Sequence, residues 1–431
     1  MLELQRFNCR RLTDWLVLSF FSAFDQDDNQ YLLSAYIDYF LFFVKIEMEE
    51  IAFLFELKQE SGKMKKFLTL LLVICMVLGF AGCQQKPNEP EKETFEIAIV
   101  TDVGQLNDGG FNQGTYEGAK AFAEATGKTY KYYQPANGEA ATDADRIAAM
   151  EQAVENGAQV IVTPGFLQAA AITDVATKHP EVKFVFVDGW PLGLPNVTAI
   201  AYKEHESGYF AGYAAVKDGY TKLGGTFGGG GTNPACERFA YGYVQGANAA
   251  AAELGKKVDV TISFQYGGSF SASPELLTQI SGWYNNGTEI VFACGGSMVQ
   301  SVLQAAKENN GKVIGVDVDQ ANLDACVVTS AVKGLNPSVQ LVLKKWSEGK
   351  WDAELGDKLQ NLGAAEDSTG LPTAAGSWRF ATFTQDEYKA LFAKVVSGEV
   401  TIRDDVAADM SKSEAWDALR AACPAVNLTV E

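Results

Sequence analysis

Three aspartates close apolar runs in this 431-residue chain. Asp102 follows Phe95–Thr101, Asp188 follows Val182–Val187, and Asp317 follows the run 312–316. Their neighbours are polar, small or aromatic, as in Asn107-Asp108-Gly109-Gly110-Phe111-Asn112-Gln113 and Val187-Asp188-Gly189-Trp190. One aspartate at a strand end commonly caps the next turn or helix. Three of them, with aromatics nearby, point instead to a polar ligand held by acceptor-only carboxylates. Catalysis has less to draw on. Only two histidines occur, His179 and His205, and no HExxH, no CxxC pair and no local Ser-His-Asp signature accompanies them. Neither an enzyme, nor a bound metal, nor a cofactor is expected.

The elements that must position these residues are legible as alternating patterns. Apolar runs at Phe95–Thr101, Gln159–Thr163, Val182–Val187 and Val197–Tyr202 read as buried strands, with helical patterns near 112–126, 142–156 and 167–178. A second series has strands near 222–227, 257–264, 289–293 and 312–316, and helices near 235–254, 274–285 and 298–309. Such alternation implies parallel sheets covered on both faces. The expected fold is α/β: two doubly wound, Rossmann-like lobes with a hinge, joined near His205–Lys217. Ligands of such sheets lie beyond the carboxyl ends of the strands, where the aspartates stand. The expected divisions are 95–203 for the first lobe, 204–320 for the second, and 321–431 for a crossover and C-terminal segment completing both. That last segment, with Trp378, Phe380, Phe383 and Tyr388, is expected to end in a helix and to make no ligand contact. Hinge crossings are expected near 202–206 and 317–330.

Composition narrows the partners. The formal net charge is −19 with 47% hydrophobic residues, which excludes pervasive disorder and argues against a nucleic-acid partner. Residues 64–82 begin Met64-Lys65-Lys66, continue as an apolar run and precede Cys83. That order is a secretory signal peptide. Phe80-Ala81-Gly82-Cys83 resembles a bacterial lipobox, so Cys83 is the expected lipidation site and 83–94 a polar tether. Residues 1–63 are expected to be an upstream extension rather than part of the product, since a secretion signal works at an N-terminus. Gln59-Glu60 can be encoded by a ribosome-binding sequence shortly before Met64. The expected location is the extracytoplasmic face of the cell membrane, with attachment through the lipid. Cys236, Cys294, Cys326 and Cys423 are widely spaced and are expected to be free and buried.

Several segments resemble the basic membrane protein family, the substrate-binding lipoproteins of ABC importers that include purine-nucleoside receptors. Asn107 to Gln113 followed by Glu117-Gly118 is similar to that family's DD-x-x-FNQ…EG segment, with Asn107 in place of its first carboxylate. Gly225-Thr226-Phe227-Gly228-Gly229, Pro234, Arg238-Phe239, Gly242-Tyr243 and Gly246 follow its glycine-rich stretch. Tyr266 to Phe270, Gly315 to Gln320 and Thr329 to Lys333 complete the order. The resemblance implies a type I periplasmic-binding-protein-like fold and a monomer that receives a nucleoside for an ABC permease and its ATPase. It also implies ligand contacts. Phe111 and Phe270 would stack on the base, while Asp102, Asn107, Asp108 and Asn112 lie by one loop. Asp188 would bind base edge or sugar, Asp317 the ribose hydroxyls with Lys333 beside it, and Gly296 would let backbone approach the ligand.

Other readings use the same residues. A flavin would also stack on the aromatics, so riboflavin is an alternative cargo, as is a sugar. A sensory nucleoside-binding lipoprotein would share fold and ligand without a permease. Thr101 to Asp108 faintly resembles the DxDxGxDD start of nucleoside hydrolases, but Val100 and Asn107 stand where carboxylates belong, and calcium needs several hard oxygen ligands. Gly228 to Gly231 lacks the GK[ST] ending of a phosphate loop. It reads as a strand-to-helix turn.

Overall fold

The structure is a computed structural model that describes residues 93–431 apart from 104, 267 and 269. The signal segment 64–82, Cys83, the tether up to residue 92 and the extension 1–63 lie outside the described residues. Thirteen strands occur among the described residues. In chain order they are β1 Ile97–Val100, β2 Tyr130–Tyr133, β3 Val160–Pro164, β4 Lys183–Val187, β5 Val197–Tyr202, β6 Lys222–Phe227 and β7 Val258–Ser263. After these come β8 Ile290–Cys294, β9 Lys312–Asp317, β10 Val327–Lys333, β11 Leu359–Leu362, β12 Thr369–Gly370 and β13 Val426–Val430.

Two sheets form. The first has the order β11-β5-β4-β3-β1-β2, and the second β12-β10-β9-β8-β6-β7-β13. All pairings are parallel except β10 with β12. Parallel strands need crossover connections. These are the helices α1 Phe111–Thr126, α2 Asp143–Glu155, α3 Ala169–Lys178, α4 Glu204–Lys217, α5 Pro234–Glu253, α6 Pro274–Asn285, α7 Val299–Asn309 and α8 Leu335–Ser347. Two more, α9 Gln385–Val396 and α10 Asp417–Ala422, follow. Ile97, Ile99, Val160 and Val162 pack on one face of the first sheet, and Ala98, Val100, Ile161 and Phe184 on the other. Both faces are thus covered, which is why these strands read as continuous apolar runs.

The segment expected only to join the lobes is helix α4, packed against α5 and buried from Glu204 to Val216. A helix buried on all sides carries no amphipathic stripe, so its sequence gives no periodic signal. Glycines make the contact possible. A Cβ at Gly208 or Gly212 would overlap the backbone at Phe239 or Tyr243, and one at Gly242 or Gly246 would overlap His205 or Tyr209. The two helices therefore approach backbone to backbone.

Three connections pass between the sheets. β5 leads through Lys203 into α4, which packs on β10; β10 leads through Gly334 into α8, which packs on α1; and residues 363–368 join β11 to β12. The crossing expected near 317–330 is therefore displaced. Asp317 pairs with Val332 inside the second sheet, and the chain leaves that sheet only after Lys333. The C-terminal segment contributes β11 to the first sheet and β12 and β13 to the second. Its last element is the strand β13 beside β7 rather than the expected helix. Cys236, Cys294, Cys326 and Cys423 are free and buried.

Overpacking a close interface typically costs about 1–3 kcal/mol. Gly212→Ala is accordingly expected to lower unfolding free energy by roughly 2 kcal/mol or more, read from urea titration. A variant as stable as the parent would contradict the α4–α5 contact.

Candidate functional site

Between the two sheets' carboxyl ends lies a cavity of about 190 Å³. Asp102 and Asp188, just past β1 and β4, line it from the first sheet, and Gly296, Asp317 and Lys333 from the second. Phe111, at the start of α1, and Phe270, in the loop before α6, contribute one aromatic ring from each lobe. Asn107, Asp108 and Asn112 complete the ten residues singled out from the sequence, and all ten border this one cavity.

Lys333 is the centre of its electrostatics. Its side chain is 3% exposed, with Nζ 2.6 Å from Asp188 Oδ2 and 3.3 Å from Asp317 Oδ1. The ammonium also sits 4.7 Å from the Phe111 ring centroid, 5.5 Å from Tyr202 and 5.6 Å from Phe239. Burial pulls its pKa down, but Asp188, Asp317 and Glu204 outweigh that and hold it well above the usual lysine range. Burial raises Asp317 against the attraction of Lys333, to about 6. Both aspartates adopt left-handed backbone conformations, with φ 57° at Asp188 and 67° at Asp317. Aspartate tolerates that region better than most residues, and the bends turn both carboxylates onto the same ammonium.

The other residues divide by what their polar atoms touch. Asp108 Oδ1 accepts the backbone N–H of Gly110 (2.8 Å) and Gln113 (3.2 Å), and Oδ2 that of Asn112 (3.0 Å). It caps the first turn of α1 and so seats Phe111. Burial raises its pKa against these same N–H groups. Asn112 Oδ1 is buried without a protein partner. Asp102 Oδ1 accepts Val103 N–H at 2.7 Å, and a Cβ at Gly165 would overlap its other oxygen. Asn107 is exposed at the rim. Gly296, at φ 43°, makes room for Phe270, since a Cβ there would lie 2.8 Å from the Phe270 carbonyl oxygen. Phe270 itself has φ 58°, so its ring is presented from a strained turn.

Sequence reasoning gave no site role to Asn233, Phe239 or the pair Glu204 and Arg238. Asn233 and Phe239 line the cavity. Asn233 caps α5 by accepting Ala235 and Cys236 N–H, with Pro234 next, and that Asn-Pro signal was available. Glu204 is fully buried, 2.7 Å from Arg238 Nε. Burial raises its pKa, opposed by Arg238 and Lys333. Its partner stands 34 residues away on another helix, a pairing no local pattern reveals. Across the cleft, Gln320 Nε2 donates to Gly109 O at 2.9 Å. Among the described residues there is no metal-binding cluster, and no helix is long and apolar enough to cross a membrane.

Two largely parallel sheets with a cleft between their carboxyl ends have the architecture of a two-lobed solute-binding protein. Residues 95–399 match the Bmp family, described as ABC transporter substrate-binding protein PnrA-like, and the chain belongs to that family. It is 29% identical over 307 residues to the ABC transporter nucleoside-binding protein BmpA of Lactococcus lactis, covering 65% of this chain and 84% of that protein. It is 25% identical over 365 residues to an uncharacterised lipoprotein of Pyrococcus furiosus, covering 82% and 88%. In structure it is similar to an ABC-transporter solute-binding protein from Aeropyrum pernix, with a TM-score of 0.64 at 20% identity, covering 77% of this chain and 98% of that one. That likeness shows the fold.

Removing one member of a buried ion pair costs roughly 3–5 kcal/mol. Lys333→Met leaves Asp188 and Asp317 facing each other without a cation and is expected to lose stability on that scale at pH 7.5. Urea unfolding measures it, and a loss below about 0.5 kcal/mol, the range of ordinary surface substitutions, would contradict the bridge.

Proposed function

We propose that this protein is a lipid-anchored receptor that closes over a purine nucleoside and delivers it to an ABC permease. The observation that carries this reading is the pairing of one aromatic ring from each lobe with carboxylates beside Lys333 in a single small cavity. Base stacking on an aromatic face contributes about 1–3 kcal/mol. A hydrogen bond to a charged carboxylate adds roughly 1.5–3 kcal/mol. Two adjacent ribose hydroxyls suit an acceptor-only group, which Asp317 supplies. The printed function of the Lactococcus relative, nucleoside binding, supports the same cargo. Segment 64–82 acts as the signal peptide and Cys83 carries the lipid.

In this arrangement Phe111 and Phe270 hold the base, and Asn112 Oδ1 accepts from its edge. Asp108 acts chiefly by fixing Phe111, and Asp188 shares its carboxylate between Lys333 and the ligand. Motion about the three crossings opens and closes the cleft.

Calorimetry on protein unfolded and refolded to strip carried-over ligand tests the reading. Inosine, guanosine or adenosine is expected to bind, and Asp317→Ala to weaken binding by about a hundredfold or more, two charge-assisted hydrogen bonds' worth. Binding of riboflavin or a sugar alone would replace the cargo. Affinity is also expected to depend on acid. Asp317 accepts both hydroxyls only when ionised, so binding weakens as pH falls through about 6, by up to about tenfold per unit. A flat profile from pH 7.5 to 5 would remove Asp317 from the contact.

A further inference from the structure

A second chamber of about 330 Å³ adjoins the first. The two share Phe166, Asp188, Asn233 and Ala235, so Asp188 and the start of α5 form the partition. The chamber's other walls come from the first crossing, the end of β5 and the edge strand β11. Trp190 and Leu359 are two of the five large hydrophobic side chains exposed among the described residues, and both border it. Trp190 is held edge-on by Phe186, with centroids 5.3 Å apart.

Its polar groups carry both signs. Lys203 and Arg238 are cations and Asp188 and Asp404 are carboxylates. Glu204 engages Arg238 through Nε at 2.7 Å, which leaves the guanidinium's terminal N–H groups for another acceptor. Asp188 Oδ2 accepts from Lys333 Nζ, while Asp188 Oδ1 is buried without a protein partner. His205, 7% exposed, lines the chamber and has Nδ1 buried without a protein partner. Burial lowers its pKa, which leaves a neutral ring able to accept or donate. Two buried polar atoms without a protein partner thus belong to residues that border this chamber, and buried polar groups are normally hydrogen-bonded.

We propose that this chamber is a second subsite of the cleft, which takes a zwitterionic side chain carried on the sugar of the bound nucleoside. The proposal rests on the nucleoside reading. With the base on the aromatics and the 2′ and 3′ hydroxyls on Asp317, the 5′ carbon is the sugar's remaining point of extension, past Asp188. An α-amino carboxylate there places its carboxylate toward Lys203 and Arg238. Its ammonium lies toward Asp188 Oδ1 and Asp404, and its methylene spacer along Trp190 and Leu359. A phosphate matches only half of this charge pattern and meets two carboxylates.

Calorimetry on the full chain, stripped by refolding, decides the matter. The probes are adenosine and inosine, their homocysteine conjugates S-adenosylhomocysteine and S-inosylhomocysteine, and the 5′-monophosphates. A conjugate is expected to bind at least as tightly as its parent nucleoside, and the monophosphate about tenfold more weakly or worse. Ala201 borders only the second chamber. Ala201→Trp is expected to weaken the conjugate by about tenfold or more and to leave the parent within about twofold. Asn361→Trp, on the same chamber, serves if that variant melts early. A parent that binds while its conjugate does not, or a tryptophan that weakens both alike, overturns the subsite. Monophosphate binding tighter than the conjugate overturns its zwitterionic character. If no nucleoside binds, the receptor reading fails first and the subsite with it.

Discussion

Lys333 carries a buried positive charge that neither lobe stabilises by itself. Desolvating an ammonium costs several kcal/mol, and the offset comes from Asp188 on the first sheet and Asp317 on the second. Three aromatic faces add cation–π attraction. Each carboxylate reaches the ammonium only because its strand ends in a left-handed turn. The position of one side chain thus fixes the relative placement of two strand ends, and through them the width of the cleft.

The fold holds that lysine in place through the crossings. Lys333 ends β10 immediately before Gly334, where the chain changes lobe. Ser207 Oγ donates to Val332 O at 2.7 Å and accepts Gly370 N–H at 2.8 Å. Glu206 Oε2 accepts Ala364 N–H at 2.6 Å and the Thr369 hydroxyl at 2.7 Å. Gly334 N–H donates to Ser368 O, and Lys203 N–H to Leu362 O, both at 2.8 Å. Two neighbouring residues at the start of α4 therefore stitch all three crossings together, one residue away from the ammonium. Movement at the crossings and rearrangement around Lys333 are mechanically coupled by these bonds.

Much of this was legible in the sequence because parallel strands advertise themselves. Runs such as Phe184–Val187 are apolar throughout and end abruptly in Asp188, so both the strand and the site residue were visible. Family-like motifs then gathered Phe111, Phe270 and Lys333 into one set. Helix α4 was hidden because burial on all sides removes its period, and β2, Tyr130–Tyr133, because it is short, polar at its centre and at an edge. The pairing of Glu204 with Arg238 and the capping role of Asp108 depend on which atoms meet in three dimensions. The crossing after Lys333 was misplaced because β9 and β10 are neighbours in one sheet, a fact of pairing that composition does not record.

A crystal structure with inosine bound would show whether Lys333 pins a nucleoside site. The base is expected between Phe111 and Phe270, both ribose hydroxyls within hydrogen-bond distance of Asp317, and Lys333 still bridging Asp188 and Asp317. A ligand seated elsewhere, or a Lys333 released from either aspartate when ligand is bound, would contradict that arrangement.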